Sequence, residues 1–220
     1  ETDNQQATTK GRRKRRVTKK GQLHIDLVEV KFDQLPFTPN PIMDIGYKDK
    51  TLEEKAEGES EVEKGVFFGC VDTLTSLSYY HFAKFKSYKY ITPIAKRAFE
   101  WMSKHLKIPL SKMTVYSDGG SEFSWKKYED WGLTTIIVKQ SPVIEARNSH
   151  FQRILYRIGK MKKTKDIHKL TQMAMAQLNR TVSSVSKKAP VENIRDPESK
   201  VSEKYNKKRG KDSGLKIKRR

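Results

Sequence analysis

The sequence predicts an α/β domain built on a mixed five-stranded sheet flanked by helices, in the order β β β α β α β α α. Three observations predict it. Alternating and β-branched runs come three in succession early in the chain and return as two short segments later. Segments with apolar residues at helical spacing, two of them opened by proline, separate and follow the later strands. The charge, 33% of residues against 35% apolar, is concentrated toward the ends, which leaves one core's worth of apolar sequence between them.

The first strand is residues 22–32 (QLHIDLVEVKF), with Leu23, Ile25 and Leu27 on one face and His24, Asp26 and Val28 on the other. Residues 34–64 carry three prolines and an acidic stretch, and read as an inserted loop with a short helix around 52–56. Residues 65–77 (GVFFGCVDTLTSL) and 78–85 (SYYHFAKF) are rich in β-branched and aromatic residues and continue an antiparallel meander. A helix is expected from Thr92 as N-cap, with Pro93 at its first position, to Leu106, and its apolar side is Ile94, Ala98, Trp101, Met102 and Leu106.

The short strand 113–116 runs into Ser117-Asp118-Gly119-Gly120, a turn-forming sequence at a strand end. Residues 121–131 read as a helix stopped by Gly132, and 133–138 (LTTIIV) as the fifth strand. Ser141 and Pro142 open a long basic helix that turns Ile144, Asn148, Phe151, Leu155 and Ile158 inward. A last helix, 166–180, places Ile167, Leu170, Ala174, Met175 and Leu178 inward.

With 220 residues, the chain suits one domain plus extensions: a basic arm (1–20), a core (21–195) carrying the insertion 34–64, and a basic tail (196–220). It opens on Glu1, as expected of a cleaved product, an excised domain or part of a longer chain. Residues 10–20 hold eight basic residues and no acid, and residues 204–220 hold nine against Asp212, so the two segments supply +16 of the net +20. Such blocks bind polyanions with steep salt dependence, as nucleic-acid arms or import signals do. A single cysteine, Cys70, excludes an internal disulfide and a thiolate zinc cluster, and no two of the five histidines have zinc-finger spacing. Neither a membrane-spanning apolar run nor the apolar core of a secretory signal is present, and a reducing compartment is expected.

The element order is the ribonuclease-H-like arrangement, in which the first and fourth strands lie side by side. Asp26 and Asp118 would then face each other, and two carboxylates so placed repel unless a cation sits between them. Here the chain resembles the catalytic core of retroviral-type integrases, transposases that use two aspartates and a glutamate. The resemblance rests on HIDLVEV around Asp26, VYSDGGSEF around Asp118 and VIEARNSHFQRIL, whose Glu145 and Asn148 match the family's Glu-x-x-Asn. HKLTQMAMAQLNRT and KKAPVENI extend it through the final helix and closing turn. Within the family, the basic lead-in, VDTLTS and SEKYNKKRGK look most like Polinton or Maverick integrases, with LTR-retrotransposon integrases second.

That resemblance implies a metal triad of Asp26, Asp118 and Glu145 holding two magnesium or manganese ions, about 3.5–4 Å apart, for trimming DNA 3′ ends and joining them to target DNA. It implies DNA contacts from Asn148, Gln152, Arg147, Arg153, Lys160, Lys162 and Lys163, with Arg157 on the same helix, and the basic run Arg12, Arg13, Lys14, Arg15 and Arg16 suits the same partner. A homo-oligomer is also implied, as are zinc-binding and C-terminal DNA- or chromatin-binding modules outside this segment and a place in the nucleus or in a viral or transposon particle, with no membrane partner. Asp72 and Glu122 fall outside the triad, so structural roles are expected of both.

One departure stands out: 26 residues separate Asp118 from Glu145, fewer than in most of the family. The shortening falls on residues 139–143, which extended span at most about 17 Å, enough to join a strand end to a neighbouring helix. An inactive, integrase-derived nucleic-acid-binding or structural subunit and a ribonuclease-H-type nuclease remain as alternatives.

Overall fold

The β1 strand, Gln22–Lys31, is the middle of the sheet because both of its faces carry apolar residues. It pairs antiparallel with β2 (Lys64–Asp72), from Leu23↔Asp72 to Lys31↔Lys64. A tight turn then returns β2 into β3 (Ser78–Ala83), with the Asp72 N–H donating to the Leu77 carbonyl at 2.9 Å. On the other side β1 pairs parallel with β4 (Thr114–Ser117), which pairs parallel with β5 (Thr134–Ile137). The sheet order is β3-β2-β1-β4-β5, the mixed sheet expected from the sequence. The computed structural model describes residues 19–31, 35, 64–139, 141–162, 166–183, 186–198 and 200–201.

Helices cover both faces. On one side α1 (Tyr88–Leu106) packs Ile91, Ala95, Ala98, Phe99 and Met102 against Leu23, Ile25, Phe68 and Val115. The short α2 (Trp125–Asp130) joins the same core through Tyr128. On the other side α3 (Pro142–Met161) and α4 (Ile167–Arg180) bring Phe151, Leu155, Leu170 and Ala174 against Val30, Phe67, Tyr80 and Phe82. The last helix is α5 (Pro190–Asn193). Burial of each large side chain contributes about 1.5–3 kcal/mol, so each face holds its own helices. Among the described residues no helix is long and apolar enough to cross a membrane.

Several boundaries differ from the sequence reading. α1 opens at Tyr88, one turn before Thr92, which leaves Pro93 inside the helix. The added turn is held by burial of Ile91 and by the Ser87 carbonyl, which accepts from the N–H groups of Tyr90 and Ile91. Thr92 therefore caps nothing; its hydroxyl is buried without a hydrogen-bond partner. α2 begins only at Trp125 because residues 120–123 close a turn, the Phe123 N–H donating to the Gly120 carbonyl at 3.1 Å. Gly132 ends that segment at φ +89°, a left-handed conformation suited to glycine. Asp166 does cap α4, accepting from the Lys169 N–H at 3.0 Å.

Near the described ends, the Lys20 ammonium donates to the carbonyls of Ile194 and Asp196, at 2.7 and 3.0 Å. Asp72 is fully buried and accepts from the Gly21 N–H, the Thr75 N–H and the Thr75 hydroxyl, at 2.7 to 2.8 Å. It ties the start of β1 to the β2–β3 turn, the structural role expected of it. Most of the 34–64 insertion, the helix expected at 52–56 and the basic residues 10–18 and 204–220 lie outside the described residues.

Candidate active site

Asp26 lies on the β1 face that α3 crosses. Its cross-strand partner on β2 is Gly69, whose own partner on β3 is Tyr80. The half-buried carboxylate accepts from the Leu27 N–H through Oδ1 at 2.8 Å and from Asn148 Nδ2 through Oδ2 at 2.9 Å. Burial raises its pKa from the usual carboxylate range; the Leu27 hydrogen bond opposes that, the charges of Asp118 and Glu145 add to it, and Lys86 opposes it. Both other acids are thus in electrostatic reach of Asp26.

Asp118 follows the last residue of β4, and its exposed carboxylate folds back to accept from the Gly120 N–H at 3.2 Å. Gly119 adopts φ +82°, and a Cβ there would stand 3.0 Å from Ile137 Cγ2 on β5. The YSDGGSEF sequence is therefore a turn whose backbone requires glycine, and the parallel β1–β4 pairing carries it to the level of Asp26.

Glu145, also exposed, occupies the first turn of α3. The short connection is fastened at both ends. The Val138 N–H donates to the Ser117 carbonyl at 2.7 Å, which holds the end of β5 beside the end of β4. Ser141, at the N-cap position, does not cap with its side chain; its hydroxyl hydrogen-bonds to His24 Nδ1, while its carbonyl accepts from the N–H groups of Ile144 and Glu145. The His24 ring stacks on Tyr116 at 4.7 Å. α3 is therefore pinned to β1 two residues before Asp26, and the shortened link still brings Glu145 toward the aspartates.

Three carboxylates supply oxygen ligands only, the donor chemistry of magnesium or manganese and not of zinc. Among the described residues, however, no group of three or more acidic, histidine or cysteine side chains is gathered closely enough to hold a metal ion. The acids share a field without forming a closed cage.

No family model matches the sequence, and no curated protein matches it. Solved structures do. The catalytic core of HTLV-2 integrase in complex with magnesium, in its trimeric form, superposes with a TM-score of 0.57 at 13% identity, covering 82% of this chain and 100% of that one. Its dimeric form gives 0.55 at 13%, over 83% and 100%. The simian T-cell lymphotropic virus intasome in complex with the PP2A regulatory subunit B56 gamma gives 0.59 at 12%, over 83% of this chain and 57% of that one. The fold is that of a retroviral integrase catalytic core.

On this integrase-core fold the expected DNA-contacting residues divide. Arg147 is turned inward: its Nε donates to the Ser78 hydroxyl at 2.8 Å, its Nη2 donates to the Leu178 carbonyl at 3.2 Å, and burial lowers its pKa to about 10. It braces α3 against β3 and α4, so a phosphate contact is not its place. Asn148 is buried too, spent on Asp26. Gln152 and Arg153 line a shallow groove of about 480 Å³ with Ser149 and Tyr156, beyond Glu145 on the same helix. Arg157 and Lys160 are exposed farther along α3 and Lys162 just past its end; Lys163 and Arg12, Arg13, Lys14, Arg15 and Arg16 lie outside the described residues.

The sequence reading missed three contributors. His24 was discoverable, two residues before Asp26 on the same strand face. Lys86 sits 3.4 Å from Glu29 and 3.6 Å from Glu122; part burial works against its charge, but the two acids hold its pKa above the usual range. Glu122 is accordingly an ion-pair partner at the edge of the site. Tyr80 carried no local signal, because only the register of three strands brings it near Asp26.

Proposed function

We propose that this chain is the core of a metal-dependent polynucleotidyl transferase that trims DNA 3′ ends and joins them to a target. One observation carries the reading: on an integrase-core fold, the half-buried Asp26 feels the charges of both Asp118 and Glu145. Structural likeness to a core solved with magnesium supports the cation class.

Asp26, Asp118 and Glu145 would hold the ions, which supply nucleophile activation and charge stabilisation at the leaving oxygen. Asp26 suits this because each of its oxygens accepts one protein donor and keeps lone-pair capacity for a cation. Asp118 and Glu145, both exposed, can reach DNA without burying uncompensated charge. Arg153, Lys160 and Lys162 would track phosphates along α3, and the basic runs outside the described residues would add salt-sensitive affinity. We assign the chain to a homo-oligomer acting on paired ends, in the nucleus or in the particle of a mobile element of the Polinton or LTR type.

A strand-transfer assay with pre-cut DNA ends tests the proposal. Wild-type protein should join ends only with magnesium or manganese, and Asp118→Asn should lower joining by at least about 10²-fold, the scale expected when a charge-stabilising group is removed. Unchanged joining by that variant would sink the assignment. A second reading, an integrase-derived subunit that binds nucleic acid without cutting it, is favoured by the lack of a closed acidic cage among the described residues; DNA binding with no metal-dependent joining would select it.

A further inference from the structure

Tyr80, Gly69 and Asp26 are successive cross-strand partners on β3, β2 and β1, so they share the sheet face under α3. The middle position has no side chain, and Asn148 descends from α3 into the gap. The Tyr80 hydroxyl donates to Asn148 Oδ1 at 2.8 Å, and Asn148 Nδ2 donates to Asp26 Oδ2 at 2.9 Å. Tyr80 is 2% exposed and Asn148 6%, so water does not substitute for either bond.

We propose that Tyr80 is a positioning residue for Asp26, acting through Asn148 to hold the carboxylate in its ligand orientation. An ionised carboxylate accepts only, so the amide must present its NH₂ to Asp26, which leaves its oxygen pointing the other way into the core. Unmet there, that oxygen would be a buried acceptor without a partner, and the amide would be free to tilt. The Tyr80 hydroxyl meets it. Burial pushes the phenol's pKa far up, so the hydroxyl keeps its proton and stays a donor. The ring is itself fixed, lying flat on Phe151 with centroids 3.9 Å apart and 4° between planes. The edge position of β3 leaves the Tyr80 N–H outside the ladder, and it donates to Met175 Sδ at 3.3 Å, fastening the same residue to α4. Tyr80 is thus held on three sides, and its one polar group serves the amide that serves Asp26.

The inference rests on Asp26 being a metal ligand, and its test separates the two ideas. Tyr80→Phe keeps the ring stack and removes only the hydroxyl. In metal-free full-length protein, side-chain NMR should show faster hydrogen exchange at the Asn148 amide and a shifted Asp26 carboxyl carbon in the variant. In a Mn²⁺ titration, affinity should fall about tenfold, the lower end of what loss of an outer hydrogen-bond partner costs a metal site. Unaltered Asn148 and Asp26 signals in Tyr80→Phe overturn the proposal whether or not metal binds. Unaltered Mn²⁺ affinity in the variant, with wild-type binding that Asp118→Asn abolishes, overturns it as well. If wild-type protein shows no Mn²⁺ binding that Asp118→Asn removes, the metal reading falls, and the amide and carboxyl signals alone decide whether Tyr80 orients Asp26.

Discussion

Gly69→Ala places one methyl group where the fold has no room. A Cβ at this position would stand 2.9 Å from Tyr80 Cε1 and 3.0 Å from Asn148 Oδ1, and neither neighbour can yield cheaply. The Tyr80 ring is stacked on Phe151, and the Asn148 amide is hydrogen-bonded at both ends. Alanine would gain about 0.5–1 kcal/mol over glycine from backbone entropy in a strand. Against that stand an overpacking cost of about 1–3 kcal/mol and about 1–3 kcal/mol for breaking a buried hydrogen bond. Overpacking and lost bonding win, with a net destabilisation of about 1–5 kcal/mol, or roughly 2–4 °C in Tm per kcal/mol for a chain of this size. Urea unfolding followed by circular dichroism should show a lower midpoint with an unchanged slope. Gly120→Ala is the matched control: its Cβ would approach the Glu122 carboxylate at 2.6 Å, but that is the far end of a flexible side chain that can swing aside. Equal midpoints for Gly69→Ala and wild type would refute the packing argument.

Two further outcomes follow from the same geometry. Ser141→Ala removes the hydroxyl that pins α3 to His24, and should cost about 1 kcal/mol in urea unfolding while lowering metal-dependent joining several-fold, since Glu145 rides on that helix end; joining equal to wild type would count against the pin. His81 has its pKa lowered to about 4 by burial and, to a lesser extent, by the electrostatic influence of the neighbouring Arg97 and His168. The unfolded chain therefore binds the extra proton first, so this contribution to stability is complete above about pH 6.5 and is lost as pH falls toward 4. The slope is at most about 1.4 kcal/mol per pH unit, and less with solvent screening. His81→Gln should flatten it, and an unchanged acid-unfolding profile would exclude His81 as its source.

Much of the architecture is legible in the residues, because strands and helices announce themselves by local periodicity. The alternation in QLHIDLVEVKF correctly separates Leu23 and Ile25 from His24 and Asp26, and the inward positions of the long helix, from Ile144 to Ile158, are all buried. Element ends were less legible. Pro93 is a strong local start signal, yet burial of Ile91 extends α1 past it, because tertiary packing outweighs a single propensity.

The candidate site divides along the same line. The sequence by itself determined which acids are available, that Asp118 sits in a glycine turn, and that Glu145 and Asn148 share a helix face, because these are short-range facts. Only the tertiary structure decided that Arg147 is a brace and Asn148 a buried ligand of Asp26, or that His24 anchors the short link and Tyr80 stands behind Asn148. The physical reason is register: Asp26 meets Gly69 across an insertion, and Gly69 meets Tyr80 across a turn. Which side chain fills a glycine's empty space is set by long-range pairing, which no local pattern encodes.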